Sequence, residues 1–135
     1  MRAWIFGAIA LVLVALSPRA EAQATDIQSV ITSQIEAFKA DDFATAFTFA
    51  HPRIQGIFRN PGNFGRMVTQ GYPMVWRPAD VRYFPLREEN GFTFQDVEIV
   101  DQQGQIFVLE YSMAQTADGW RIAGVRILEN HAYSA

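Results

Sequence analysis

The chain has 135 residues and half of them are apolar, which suits a single globular domain with its own hydrophobic core. Its formal net charge is −3 and Lys39 is its only lysine, so it lacks the basic patch with which nucleic-acid binders hold phosphates. It has no cysteine, and its two histidines, His51 and His131, form no zinc-binding motif, so we expect no disulfide, no metal, no cofactor and no nucleic-acid partner.

Residues 1–22 have the pattern of a secretory signal peptide. Arg2 gives a positive start, residues 3–16 are uncharged and apolar, and Ala20-Glu21-Ala22 matches the small-x-small cleavage site. The apolar run is shorter than the roughly 20 residues that span a membrane. We therefore predict cleavage after Ala22, a mature domain of residues 23–135 outside the membrane, and a periplasmic or secreted location.

The first half of the mature chain is predicted to be helical. Apolar residues recur at helical spacing in Thr25–Lys39, and either Thr25 or Asp26 is placed to cap the start. A second helix runs from Asp41-Asp42 to about Ala50, where His51-Pro52 ends it. Residues 53–58 could add one more turn, and a further helix over Phe64–Gln70 follows Asn63 as its cap.

The pair Asp41-Asp42 has two interpretations. Paired carboxylates can perform acid–base chemistry or hold a metal. An aspartate just before a helical pattern also caps the helix, and its neighbour faces the helix dipole. The position of both residues at the start of the second helix favours the capping interpretation.

From Val81 onwards the hydrophobic period changes to two, which predicts four consecutive antiparallel strands. Asn90-Gly91 and Asp118-Gly119 are specific hairpin signals, because glycine takes the positive φ that these turns need. Pro85 places the first strand at an edge. The apolar positions of the second strand change parity across Gln95-Asp96, which predicts a β-bulge there. The predicted strands are Val81–Leu86, Phe92–Val100, Ile106–Met113 and Trp120–Leu128.

Helices followed by strands define an α+β fold, with the N-terminal helices packed on one apolar face of a curved four-stranded sheet. Between about Asp26 and Leu128 the sequence resembles the uncharacterised bacterial family called domain of unknown function 4864. The resemblance lies in Ile31, Gln34, Ala37-Phe38, Asp41-Asp42, Ala46-Phe47, Ala50, Pro52, Phe64, Met67-Val68, Gly71-Tyr72 and Gly119–Val125.

That family is related to the nuclear transport factor 2-like superfamily, whose cystatin-like fold is shaped as a cone. The resemblance implies a long helix across a strongly curved antiparallel sheet, often with a pocket between them. It implies no activity, because the superfamily holds enzymes such as ketosteroid isomerase and scytalone dehydratase as well as binding and dimerising domains.

A site inside such a cone needs side chains that point inward. Strand parity places Tyr111 inward and Glu110 outward, and it places Trp120 inward on the last strand. His51 could lie at the mouth of the cone as a base, since its ordinary pKa is near neutrality. With Gln95 as a further polar lining residue, the candidate ligand-binding residues are Tyr111, Trp120, His51 and Gln95.

Each candidate also has a structural alternative. Tyr111 and Trp120 could be ordinary core aromatics, and His51 could be a helix-terminal residue satisfied by carbonyls or water. No inward carboxylate pairs with an inward tyrosine, and no nucleophile elbow or phosphate loop occurs, so no catalytic residue is assigned. We therefore favour a non-enzymatic domain that binds a small apolar ligand or a protein partner, with homodimer formation as an option. The alternative is a small isomerase or dehydratase that uses His51 and Tyr111.

Overall fold

The computed structural model describes residues 17–131, so most of the predicted signal peptide lies outside the described residues. The longest helix, α1 (Pro18–Lys39), begins earlier than Thr25. Ser17 caps it by accepting a hydrogen bond from the Ala20 N–H, and Pro18 fits the first turn, where its missing N–H has no cost. The predicted start was therefore wrong.

Four shorter helices follow, and proline begins three of them. Asp42 caps the first by accepting bonds from both the N–H and the hydroxyl of Thr45, so the capping interpretation of the aspartate pair is confirmed for Asp42. Asn60, not the predicted Asn63, caps the helix that carries Phe64. The bounds are α2 (Phe43–Thr48), α3 (Pro52–Phe58), α4 (Pro61–Gly71) and α5 (Pro73–Trp76). No helix within residues 17–131 is long and apolar enough to cross a membrane.

The second half of the chain forms one antiparallel sheet in the order β1-β2-β3-β4. Asn90 and Gly91 both have positive φ, at 53° and 81°, as the predicted hairpin turn requires. The helices pack on one face of this open, curved sheet, which confirms the predicted α+β class. The bounds are β1 (Pro78–Glu89), β2 (Phe92–Asp101), β3 (Ile106–Thr116) and β4 (Gly119–His131).

The helical layer is also joined to the sheet by main-chain hydrogen bonds. The Ile122 N–H donates to the Phe49 carbonyl at 2.9 Å, and the His51 N–H donates to the Ile122 carbonyl at 2.8 Å. Ala50 thereby forms an isolated parallel bridge with Ile122 on the outer edge of β4. The connection between α2 and α3 is thus held against the last strand.

The bulge opposite Gln95-Asp96 lies in β1 and not, as predicted, in β2. Tyr83 pairs with Val97 and Leu86 pairs with Gln95, so Phe84 and Pro85 together lie opposite Asp96 alone. The β2–β3 ladder has no register shift. The apolar positions of β2 change parity because its two phenylalanines, Phe92 and Phe94, lie on the outer face of the sheet.

Gln95 holds this bulge together. Its side chain is fully buried, and its amide donates to the Phe84 carbonyl at 2.6 Å and to the Asp96 carbonyl at 2.8 Å. The Phe84 carbonyl belongs to the bulge, where the regular ladder is interrupted. A buried carbonyl without a partner is costly, so Gln95 compensates for the interrupted ladder.

We expect Gln95→Leu to lower the free energy of unfolding by about 2–3 kcal/mol, because it leaves a buried carbonyl unsatisfied. Urea denaturation followed by circular dichroism measures the change. Gln103→Leu is the control, because Gln103 lies exposed in the β2–β3 turn, and it should change stability by less than about 0.5 kcal/mol. Equal effects of the two substitutions would contradict the role of Gln95.

Candidate functional site

A cavity of about 350 Å³ lies between the helices and the inner face of the sheet. Helix α1 contributes Gln34 and Phe38 to its lining, and α3 contributes Ile54 and Phe58. The remaining walls come from α4, from Tyr72 and α5, and from the facing parts of β3 and β4. Its volume is within the range of small-molecule sites.

Aromatic rings form one wall of the cavity. The Phe64 ring of α4 lies 5.8 Å from that of Phe38, 5.3 Å from that of Phe47 and 5.7 Å from that of Phe58, measured between centroids. Such tilted and edge-on contacts are favourable and hold rings in fixed orientations. Next to Phe64, Gly65 lets α4 approach the Phe43 ring, since a Cβ there would lie 2.8 Å from that ring.

Tyr111 is one of the polar residues that line the cavity. The residue is completely buried, and its hydroxyl is the one buried side-chain polar atom of the described chain without a hydrogen-bond partner. Burial, and then the nearby Tyr83 and Tyr72, raises the pKa of Tyr111 well above its usual range, so the hydroxyl keeps its proton. Tyr111 therefore presents a neutral group that can donate or accept a hydrogen bond.

The other polar side chains of the lining are amide or phenol groups. The Gln34 amide donates to the Ala46 carbonyl at 3.1 Å, and the Tyr72 hydroxyl donates to the Val125 carbonyl at 3.2 Å. None of the described residues that line the cavity carries a charge. Within residues 17–131 no group of three or more His, Asp or Glu side chains is placed to hold a metal ion.

The four residues proposed from the sequence do not come together. Tyr111 lines the cavity, whereas the Gln95 side chain is occupied by the β1 bulge. Trp120 lies half-buried near the end of the sheet and is not part of the lining. His51 caps α3 by accepting a bond from the Arg53 N–H at 3.1 Å, and it lines a separate groove with residues such as Phe94. A His51–Tyr111 pair in one site is therefore not formed.

Sequence reasoning missed Gln34 and Tyr72 as lining residues. Gln34 did have a signal in the sequence, because its spacing from Ile31 and Phe38 places it within the apolar stripe of α1. In the structure it is only 3% exposed. Tyr72 had no such signal, since it lies between the helix predicted over Phe64–Gln70 and the first predicted strand, outside any predicted element. Its position is set by the turn between α4 and α5, in which it is the single connecting residue.

The outer face of the sheet is charged where the inner face is neutral. Glu110 points outward as predicted, yet it is only 6% exposed because two arginines cover it. Arg126 donates to Glu110 at 2.8 Å, and Arg87 donates to Glu110 at 2.7 Å and to Asp96 at 2.8 Å. The bonds from Arg126, and then those from Arg87, hold the pKa of the Glu110 carboxyl below its usual range.

The structure therefore defines a small α+β protein with a neutral, largely apolar cavity between its helices and its sheet. Residues 20–135 match the family model described as a domain of unknown function, DUF4864, and the chain belongs to this family. No curated protein and no solved structure is significantly similar to the chain.

A lowered carboxyl pKa stabilises the fold above the carboxyl's ordinary pKa of about 4.5, and this stabilisation is lost as the pH falls through the folded-state value. We expect Glu110→Gln to lower the free energy of unfolding by about 2 kcal/mol at neutral pH, since it removes charge-assisted bonds. The difference from the wild type should shrink at acidic pH. Glu89→Gln is the control, because Glu89 also bonds Arg87 but its side chain is 60% exposed. Chemical denaturation across a pH series measures both variants.

We expect Tyr111→Phe to raise the stability of the ligand-free protein by about 1 kcal/mol, because it removes a buried hydroxyl that has no partner and conserves the ring. Differential scanning calorimetry measures the shift in Tm. Tyr83→Phe is the matched control. Its hydroxyl lies 2.6 Å from the Thr32 hydroxyl, so its loss should not stabilise the fold. A destabilised Tyr111→Phe variant would show that the hydroxyl already has a structural role.

Proposed function

We propose that the protein binds a small, neutral and largely apolar ligand in the cavity, with the Tyr111 hydroxyl as its hydrogen-bonding anchor. The single observation that carries this proposal is the unpartnered hydroxyl of a fully buried tyrosine on the cavity wall. Leaving such a group unpaired costs about 1–3 kcal/mol. A ligand that reaches the Tyr111 hydroxyl would remove this cost, and Tyr111 is one of the residues that line the largely apolar cavity.

The lining also restricts the charge of the ligand. A charged ligand would lose its hydration inside the cavity and would find no opposite charge among the described lining residues. A neutral compound with one hydroxyl or carbonyl group on a ring system has no charge to desolvate and can form a hydrogen bond with Tyr111. Its rings would contact the wall formed by Phe38, Phe58 and Phe64, and its polar group would face Tyr111.

The catalytic alternative has weaker support. An isomerase or dehydratase needs an acid or base within hydrogen-bond reach of the bound substrate. The described lining provides no carboxylate and no imidazole, and His51 belongs to the separate groove. Tyr111 alone, with a raised pKa, is a hydrogen-bond donor and not a general base.

We also propose the superfamily placement and the export of the chain. A long helix on a curved antiparallel sheet, with a cavity between them, is the arrangement that the resemblance to the nuclear transport factor 2-like superfamily implies. Export is compatible with the packing, because α1 crosses the predicted cleavage site after Ala22 but buries its first residue at Ile27. Removal of residues 18–22 would therefore leave the core intact.

We expect the full-length chain, expressed in a bacterium with a periplasm, to yield a mature protein that begins at Gln23. Intact-mass spectrometry of the periplasmic fraction identifies the first residue. A substitution of Ala22 by a large residue is the control, since it should block the cleavage. Uncleaved protein that remains in the cytoplasm would contradict the proposal of export.

We expect N-phenyl-1-naphthylamine, a neutral apolar fluorophore, to bind with increased fluorescence, and its sulfonated analogue 8-anilino-1-naphthalenesulfonate not to compete for the site. The two probes have similar rings but differ in charge, so they test neutrality directly. Equal binding of the anionic probe would contradict a neutral site.

We expect Tyr111→Phe to weaken the binding of 2-naphthol by about 2- to 10-fold, which corresponds to one hydrogen bond, and to leave naphthalene unchanged. Displacement of the fluorophore measures both affinities. Tyr83→Phe is the control, because Tyr83 does not line the cavity and should change neither affinity. An equal loss for both compounds would show that Tyr111 contributes shape and not a hydrogen bond.

A further inference from the structure

Helix α3 covers one side of the cavity but is weakly attached to the fold. Its Ile54 and Phe58 side chains line the cavity, whereas Ile57 is 64% exposed. It is the one helix of the described chain that buries no residue, while its neighbours α2 and α4 each bury at least one. Segments with few buried apolar contacts are the first to open in local unfolding.

The sequence of α3 gives it little stability of its own. It has only 7 residues, and helices this short do not persist without tertiary contacts. Gly56 lies in its middle, and a Cβ at that position would meet no atom within 4 Å, so no close approach requires a glycine there. Glycine inside a helix lowers its stability relative to alanine. The helix can therefore unwind once it leaves its neighbours.

The end of α3 is under backbone strain. Arg59 follows the helix with φ 73° and ψ −37°, in a region that residues with a Cβ avoid. The start of the helix is firmly held, because the His51 N–H is bonded to the Ile122 carbonyl on β4. The strain at Arg59 belongs to the conformation in which α3 lies against the cavity, so movement of α3 away from the cavity would release it.

Two side-chain amides hold α3 in place. The Gln55 amide donates to the Phe47 carbonyl at 3.1 Å and to the Ala50 carbonyl at 3.0 Å. The Asn63 amide donates to the Phe58 carbonyl at 2.8 Å. These bonds are only part-buried, so water can replace them when the helix moves away.

We propose that α3 is the entrance lid of the cavity. Gln55 is its latch, His51 is its fixed end, and the lid opens by detaching and unwinding between His51 and Arg59. The walls contributed by Phe64, Val68 and Ile122 belong to the buried core and cannot move without exposing it, whereas α3 buries no residue. This proposal rests on the proposed function, because an entrance requires a ligand that enters.

The proposal predicts opposite effects for two substitutions that do not touch the ligand. Gln55→Ala removes the latch and should accelerate opening about tenfold, as expected for two lost hydrogen bonds. Gly56→Ala fits the open space around Gly56 and should slow opening about threefold by stabilising the helix. Neither residue lines the cavity. In each variant the association and dissociation rates of the probe should change together and leave Kd almost unchanged.

Two measurements test the effects of these substitutions on the opening of α3, and matched substitutions on α4 serve as controls. Hydrogen–deuterium exchange of the ligand-free protein reports the opening of α3, and stopped-flow fluorescence with N-phenyl-1-naphthylamine reports both rates. Gln70→Ala and Gly71→Ala are the controls, since both residues are exposed and Gly71 also has open space around it. They should alter neither the exchange of α3 nor the probe rates.

Fast exchange of α3 together with paired rate changes in both α3 variants would support the lid. Probe binding with rates that neither variant changes would overturn the lid and leave the proposed binding function in place. A change in Kd with constant association rates would overturn it as well, since Gln55 would then shape the bound state. If α3 exchanges rapidly but no neutral probe binds, the binding function fails and the entrance role fails with it.

Discussion

The short main-chain pairing between residues 49–51 and Ile122 determines where the cavity lies. It fixes the connection between α2 and α3 to the outer edge of β4 through two hydrogen bonds of 2.8 and 2.9 Å. Main-chain bonds at a sheet edge hold backbone position more firmly than side-chain packing does. Because α3 starts from this fixed point, it begins beside the outer edge of β4, and its Ile54 and Phe58 side chains reach the cavity. The space beneath α3, bounded by α4 and α5, is the cavity.

The two faces of the sheet have separate electrostatic roles because successive residues of a strand point in opposite directions. Glu110 and Tyr111 are neighbours in β3, yet one lies among arginines on the outer face and the other lies in the neutral interior. The Glu110 carboxylate is stabilised by its paired arginines on the outer face, whereas the neutral Tyr111 hydroxyl lies among apolar residues. A shift of β3 by one residue would place the Glu110 carboxylate in the apolar interior and the Tyr111 side chain on the outer face, so the β2–β3 register and the cavity depend on each other.

Local sequence signals predicted much of the fold. The Asn90-Gly91 and Asp118-Gly119 turns were correct because glycine's positive φ is a property of a single residue. The bulge was placed in the wrong strand because parity records only which face a residue prefers. Phe92 and Phe94 are apolar but lie outward, and one of them is 67% exposed. Large apolar residues on the surface break the alternation of apolar inward and polar outward residues. The residues of β2 alone therefore do not show that the extra residue of the bulge lies in its partner, β1.

The sequence by itself determined the α+β class, the order of the strands, the family resemblance and the inward direction of Tyr111, because each depends on local periodicity or on one motif. Only the tertiary structure decided that Tyr111 has no hydrogen-bond partner, that Gln95 supports a bulge, and that His51 and Trp120 lie away from the cavity. These properties depend on distances between residues far apart in the chain. Hydrogen bonding and cavity shape are set by how helices and strands meet in space, and periodicity within one segment carries no information about that meeting.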